Sequence, residues 1–176
     1  MRISVEDIPE GVSTLELKCD AEEIDLEEEG ISFAGPITAR LELFKQGDKI
    51  YLKAELLIPI ESQCAKCLTT VHEVVKGTFE NQYRPLPKET RDVMDDIGIG
   101  YYSDEYIDLS DDVKESFLLE LPARVLCSED CKGLCPKCGQ NLNEVECNCC
   151  LQPEEVQTSK LADMIKMLEI DKKLEV

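Results

Sequence analysis

Apolar and polar residues alternate most regularly between residues 37 and 60. Ile37, Ala39, Leu41 and Leu43 alternate with Thr38, Arg40, Glu42 and Phe44, and after Gln46-Gly47-Asp48 the pattern resumes as Ile50, Leu52, Ala54, Leu56, Ile58 and Ile60. A period of two interrupted by a Gly-Asp turn predicts a β-hairpin. The opposite face of its second strand carries Tyr51, Lys53, Glu55 and Leu57, so one side meets a core and the other meets water or a partner, as in an antiparallel sheet. Val71, Val75, Phe79 and Tyr83 suggest a further strand, and shorter ones are expected at Ser13 to Cys19 and Ile31 to Phe33.

Beyond Arg84-Pro85-Leu86-Pro87 the pattern is lost. Residues 88 to 107 are acidic, contain Gly98 and Gly100, and read as a long loop from which Ile97, Ile99, Tyr101, Tyr102 and Ile107 could fold back onto the sheet. Ser110-Asp111-Asp112 then predicts a helix start, since a serine oxygen can accept from exposed backbone N–H groups and acids complement the positive end of the macrodipole. Val113, Phe117 and Leu121, with Leu118 beside them, give that helix an apolar face, and Pro122 ends it. A second helical stretch, Ser159 to Leu168, places Leu161, Met164, Ile165 and Leu168 on one side. These elements predict an α+β fold: a small antiparallel sheet, curved or partly barrelled, with one packed helix, a Cys-rich zinc-knuckle module and a short C-terminal helix. The expected divisions are a sheet-plus-helix domain over 1–122 with its acidic loop at 86–107, a zinc-binding module over 123–152 and a helical tail over 153–176.

Charge sharpens this division. The 176 residues include 38 acids and 19 bases, for a formal net charge of −19. Residues 1–30 hold eleven acids and two bases, and residues 86–120 eleven acids and three bases, whereas 31–85 is nearly neutral. Phosphate backbones are bound by lysine and arginine displacing counterions, so this charge disfavours autonomous RNA binding, although Arg40, Lys45, Lys49, Lys53, Lys66, Lys76 and Arg84 could form a local basic patch. An acidic surface attracts basic proteins, among which ribosomal proteins are abundant. No apolar leader follows Met1 and no apolar run reaches the roughly 18–20 residues that span a bilayer, so a cytoplasmic protein without a membrane partner is expected.

Ten cysteines at short spacings, in a reducing compartment, argue for metal thiolates over disulfides. Cys135-Pro136-Lys137-Cys138-Gly139 has the form of a metal knuckle: two thiolates two residues apart can reach one tetrahedral ion, and Gly139 permits the tight return. Cys147 and Cys149 supply a second pair, so Cys135, Cys138, Cys147 and Cys149 make a four-cysteine site. Cys64 and Cys67 with Cys127 and Cys131 make a possible second site; the competing grouping joins Cys64 and Cys67 to Cys135 and Cys138. Zinc, one to two structural ions, is favoured over iron. Either Cys149 or Cys150 is spare, and Cys19 reads as a small buried hydrophobe. Cys64 and Cys67 also admit a thiol–disulfide redox reading.

The single histidine, His72, reads as a surface strand residue, and no histidine-based catalytic set can be assembled around it. There is no Gly-rich phosphate loop, Asp95-Asp96 and Asp111-Asp112 lack calcium-loop spacing, and four thiolates leave zinc no open position for water or a small-molecule substrate. Nothing in the sequence argues for an enzyme.

The motifs carry a family resemblance. Cys64-Ala-Lys-Cys67-Leu68, then Asp108-Leu109-Ser110 and a helix ending at Leu121-Pro122, then Cys127-Ser-Glu-Asp-Cys131-Lys-Gly-Leu-Cys135-Pro-Lys-Cys138-Gly139 and Asn141-Leu142-Asn143, resemble the YceD family of large ribosomal RNA subunit accumulation proteins from about Leu41 to Cys149. The resemblance implies a non-enzymatic ribosome biogenesis factor needed for accumulation of 23S ribosomal RNA, in many bacteria encoded beside a small basic ribosomal protein. Its expected partner is a basic ribosomal protein or the pre-ribosomal large subunit.

Overall fold

The computed structural model describes residues 1–87, 98–103 and 105–151. The helix expected at 159–168 and the pair Asp95-Asp96 lie outside the described residues. By internal packing the chain falls into two compact units, Met1–Cys131 and the residues from Lys132 onward.

The first unit is built on the predicted hairpin. β4 (Ile37–Gln46) and β5 (Lys49–Gln63) pair antiparallel and close through Gly47 and Asp48, with Gly47 at φ 58°, as a two-residue hairpin loop requires. Ile37, Ala39, Leu41 and Leu43 are buried on one face together with Ile50, Leu52, Ala54, Leu56, Ile58 and Ile60. β2 (Gly11–Cys19) pairs with β4, β3 (Ile31–Phe33) with β5, and β6 (Thr70–Pro85) runs back along β5. β7 (Ile99–Tyr102) lies parallel to β6, giving the order β2-β4-β5-β6-β7 with β3 off this path. Two points therefore differ from the expected sheet. Among the described residues it is open, with β2 and β7 at its edges, where a partly barrelled sheet was one of the forms expected, and β7, parallel to β6, makes it mixed in direction. The acidic stretch read as loop contributes β7 and also β8 (Tyr106–Asp108), which pairs with β1 (Arg2–Ser4) as a separate ribbon.

Helix α1 (Ser110–Glu120) packs on β6. Val113 and Phe117 are fully buried, and Phe117 meets Phe33 with ring centroids 5.6 Å apart. Leu118, expected on the apolar face, is 54% exposed, and Ser116 is buried in its place. Ser116 sits over Gly77, where a Cβ would overlap its Oγ, so the missing side chain lets the helix approach the strand. Asp112 does more than complement the dipole. It accepts hydrogen bonds from Tyr83 Oη at 2.6 Å and from Asn81 Nδ2, joining the helix to β6 through a polar contact. Burial raises the pKa of Asp112, and burial together with the Asp112 bond raises that of Tyr83.

The helix start is also displaced from its expected form. Leu109 occupies the cap position without a side-chain bond, and Asp108 Oδ1 accepts from the Ser110 backbone N–H at 3.0 Å and from its hydroxyl at 2.6 Å. The acceptor is thus the aspartate two residues earlier, since the serine hydroxyl is engaged with Asp108. Burial would raise the Asp108 pKa, but the Ser110 bonds and the Arg2 guanidinium hold it below the usual carboxylate range.

Gly100 pairs with Tyr83, and a Cβ there would lie 2.5 Å from two ring carbons of that nearly buried, hydrogen-bonded tyrosine. Gly100→Ala is expected to cost about 1–3 kcal/mol through overpacking, read as a lower urea midpoint with an unchanged m value.

Candidate metal centres

The alternation that buries Ile58, Ile60 and Ser62 continues one step to Cys64, which is fully buried. Between β5 and β6 the chain turns through Cys64–Thr69: Leu68 N–H donates to Cys64 C=O and Cys64 N–H to Thr69 C=O, both at 2.9 Å. Ala65 N–H donates to Val125 C=O at 2.9 Å, tying this turn to the segment after α1 that carries Cys127 and Cys131. The Sγ atoms of Cys64 and Cys131 are 3.8 Å apart and those of Cys67 and Cys127 3.5 Å apart. All four sulfurs lie within 4.8 Å of one another.

The second unit repeats the device. Cys135 N–H donates to Gln140 C=O and Gly139 N–H to Cys135 C=O, both at 2.8 Å, and Leu134 bridges Asn141 antiparallel. Cys147 Sγ lies 3.5 Å from Cys135 Sγ and 3.4 Å from Cys138 Sγ, and accepts from Cys149 N–H at 3.3 Å. Cys135, Cys138, Cys147 and Cys149 also gather within 4.8 Å. The Asn141-Leu142-Asn143 motif holds the loop together: Asn143 Oδ1 accepts from Lys132 N–H at 2.8 Å, and Asn141 Oδ1 from Asn143 N–H at 3.1 Å.

The two turns share one hydrogen-bond pattern, from the first cysteine to the residues four and five positions later, and one backbone kink. Gly139 takes φ 73° and Leu68 takes φ 59° at the matching position. Glycine announces this left-handed residue in the sequence, whereas a leucine there gives no signal. Thr69 likewise carries no sequence signal, although its Oγ1 lies 3.3 Å from Cys67 Sγ. Both turns read Cys-x-Lys-Cys, and Lys66 Nζ donates to Cys131 C=O at 3.2 Å.

Burial alone would raise the Cys64 pKa, but N–H groups at Cys127, Lys66 and Cys67 aimed at its sulfur bring it to about 6. Cys135 is likewise lowered to about 6 by the N–H groups of Cys138 and Lys137. Their neighbours resist ionisation: Cys127 is pushed up to about 12 by its bonds to Cys131 and Cys67. One thiol in each group therefore ionises readily while a neighbour resists, and a cation at the centre would favour the thiolate form of both. Four sulfurs about 2.3 Å from one tetrahedral ion stand roughly 3.8 Å apart, close to the separations seen. By donor type and spacing both groups could hold a metal ion.

The structure thus gathers the two groups of four that the spacing suggested. Each of these groups lies within one unit, whereas the competing grouping of Cys64 and Cys67 with Cys135 and Cys138 would draw on both. Cys19 is buried in β2, with its thiol pKa raised by burial. His72 is exposed, its Nδ1 3.5 Å from Glu61.

Comparison with known proteins gives a match to the family model described as large ribosomal RNA subunit accumulation protein YceD over residues 52–165. An uncharacterised protein of Mycobacterium leprae is 29% identical over 119 residues, covering 68% of this chain and 55% of its own. A chloroplastic large ribosomal RNA subunit accumulation protein YCED homolog 1 of Arabidopsis thaliana is 23% identical over 141 residues, 65% of this chain and 44% of its own; the Zea mays protein of that name is 38% identical over 55 residues, 31% and 18%. The chain spans about half the length of the first of these relatives. No solved structure matches.

Because a left-handed leucine costs roughly 1–2 kcal/mol relative to its right-handed form, Leu68→Gly is expected to raise stability by about 1 kcal/mol and Gly139→Leu to lower it, both measured by chemical denaturation.

Proposed function

As the chain belongs to the YceD family of large ribosomal RNA subunit accumulation proteins, we propose that it is a non-enzymatic ribosome biogenesis factor, needed for accumulation of 23S ribosomal RNA and acting through a basic ribosomal protein or the pre-ribosomal large subunit. The observation that carries this reading is the family match over residues 52–165, a span that contains all eight clustered cysteines. The net charge of −19 supports a basic protein as the direct contact over naked RNA.

In this reading each cysteine group holds one structural zinc ion. Cys64, Cys67, Cys127 and Cys131 fasten the β5–β6 turn to the segment after α1, and Cys135, Cys138, Cys147 and Cys149 fasten the second unit. Four thiolates around Zn²⁺ leave no position for substrate and add about −2 to the local charge, which again favours a basic partner. The thiol–disulfide alternative has less support, because Cys64 and Cys67 are 0% and 4% exposed and an attacking thiolate needs access. The protein works in the cytoplasm on this reading; no helix among the described residues is long and apolar enough to cross a membrane.

Two measurements test this. Elemental analysis of purified protein is expected to find about two equivalents of zinc, with Cys64→Ser and Cys135→Ser each removing one; a metal-free protein that melts like the untreated one overturns the structural role. Affinity capture at two salt concentrations is expected to recover basic ribosomal proteins at low salt and less at high salt. Recovery of bare ribosomal RNA with no ribosomal protein would overturn the partner assignment.

A further inference from the structure

The sheet is open at β2, and its inner face is open there too. Ser13, Leu15 and Leu17 stand opposite Leu43, Leu41 and Ala39 and share their face of the sheet. Leu43, Leu41 and Ala39 are buried, yet Leu15, one strand further out, is 37% exposed. The apolar layer is therefore incompletely covered at Leu15, where it reaches the sheet edge. Beneath it lies a cavity of about 380 Å³, bounded by Ile3, Ile8, Pro9, Leu15, Leu17 and Leu43, within the size range of binding clefts (~300–1,000 Å³). Ser13 also lines it, and its buried Oγ has no hydrogen-bond partner among the described residues. In the sheet β2 pairs only with β4 among the described residues, which leaves the outer row of backbone N–H and C=O groups of a nine-residue strand available.

Charge selects what can come. Residues 1–30 carry eleven acids and two bases. Asp7 lines the cavity, and neither it nor Glu6 forms an ion pair among the described residues. The basic groups nearby are already engaged: Arg2 bonds Asp108 at 2.9 Å, and Lys45 donates to the carbonyls of Val5 and Ile8 at 2.7 and 2.9 Å. A second copy of this chain would bring the same negative charge to the edge.

We propose that the free edge of β2 and the apolar trough beneath it receive an extended basic segment of a protein partner as an added strand, its backbone bonded to β2 and every second side chain turned into the trough. This mode draws affinity from main-chain hydrogen bonds and specificity from pockets for alternate side chains. It rests on the reading of a basic protein partner and adds where and in what conformation that partner binds.

The test is fluorescence anisotropy with a labelled decapeptide alternating lysine and valine. The same peptide methylated at every backbone amide and an alternating glutamate–valine peptide serve as comparisons. Binding of the first, at least tenfold weaker binding of the other two, and a tenfold loss in Leu15→Lys are the expected results. Equal binding of the methylated peptide overturns the proposal in favour of plain charge attraction, and so does absence of binding. A dimer of the unaltered protein, dissociated by Leu15→Lys in sedimentation, overturns it in favour of self-pairing. The methylated peptide is tested on unaltered protein, so that comparison holds however the variant folds. Affinity capture separates the two readings: Leu15→Lys that still captures ribosomal proteins sinks the edge site alone, whereas peptide binding without any ribosomal protein captured leaves the edge site standing and sinks the partner assignment.

Discussion

The continuous pairing of β5 with β6, from Ile50 opposite Tyr83 to Gln63 opposite Thr70, is what the first unit depends on. Side chains alternate with a period of two, so a slip of one residue would turn every inward group outward. In this register β5 delivers Cys64 to the interior, and β6 presents Gly77 beneath Ser116 and Asn81 and Tyr83 beneath Asp112. The helix seat and the buried end of the first cysteine group are thus set by one ladder. The opposite face follows from the same alternation, with Lys53 beside Glu80 at 3.0 Å and Phe44 beside Tyr51.

The parts legible in the sequence were those written in local patterns. The Gly47-Asp48 turn between two alternating runs placed β4 and β5, and the Cys135 to Gly139 string named its own kink through glycine. What stayed hidden depends on distant partners. Leu68 adopts the left-handed turn because the strands on either side and the Val125 carbonyl hold it there, and no property of leucine advertises that. Asp112 looks like an ordinary first-turn acid until β6 brings Tyr83 and Asn81 to it. Ser110 has the chemistry of a cap, yet its hydroxyl is spent on Asp108. The parallel return of β7 was beyond a pattern argument, since Ile99 to Tyr102 shows apolar residues but nothing that fixes strand direction.

The cysteines show the same division. Spacing within a pair speaks for metal ligation, because two sulfurs two residues apart share one turn. How pairs combine into fours is a question of topology. The grouping of Cys64 and Cys67 with Cys127 and Cys131 arises because β5 ends where the chain leaving α1 arrives, and Ala65 bonded to Val125 marks that meeting.

The two groups, alike in their turns, differ as polymer cross-links. Cys67 and Cys127 are separated by 60 positions along the chain, Cys138 and Cys147 by 9. By the loop-closure relation used for cross-links, pinning the first pair removes denatured-chain entropy equivalent to about 4 kcal/mol, and pinning the second about 2.6 kcal/mol. An ion in the first group would close a loop that the unfolded chain seldom closes unaided, holding the end of the β5–β6 hairpin to the far end of the unit. An ion in the second would order only a short local coil. The same ligand chemistry would thereby hold distant segments together in one unit and give local rigidity in the other.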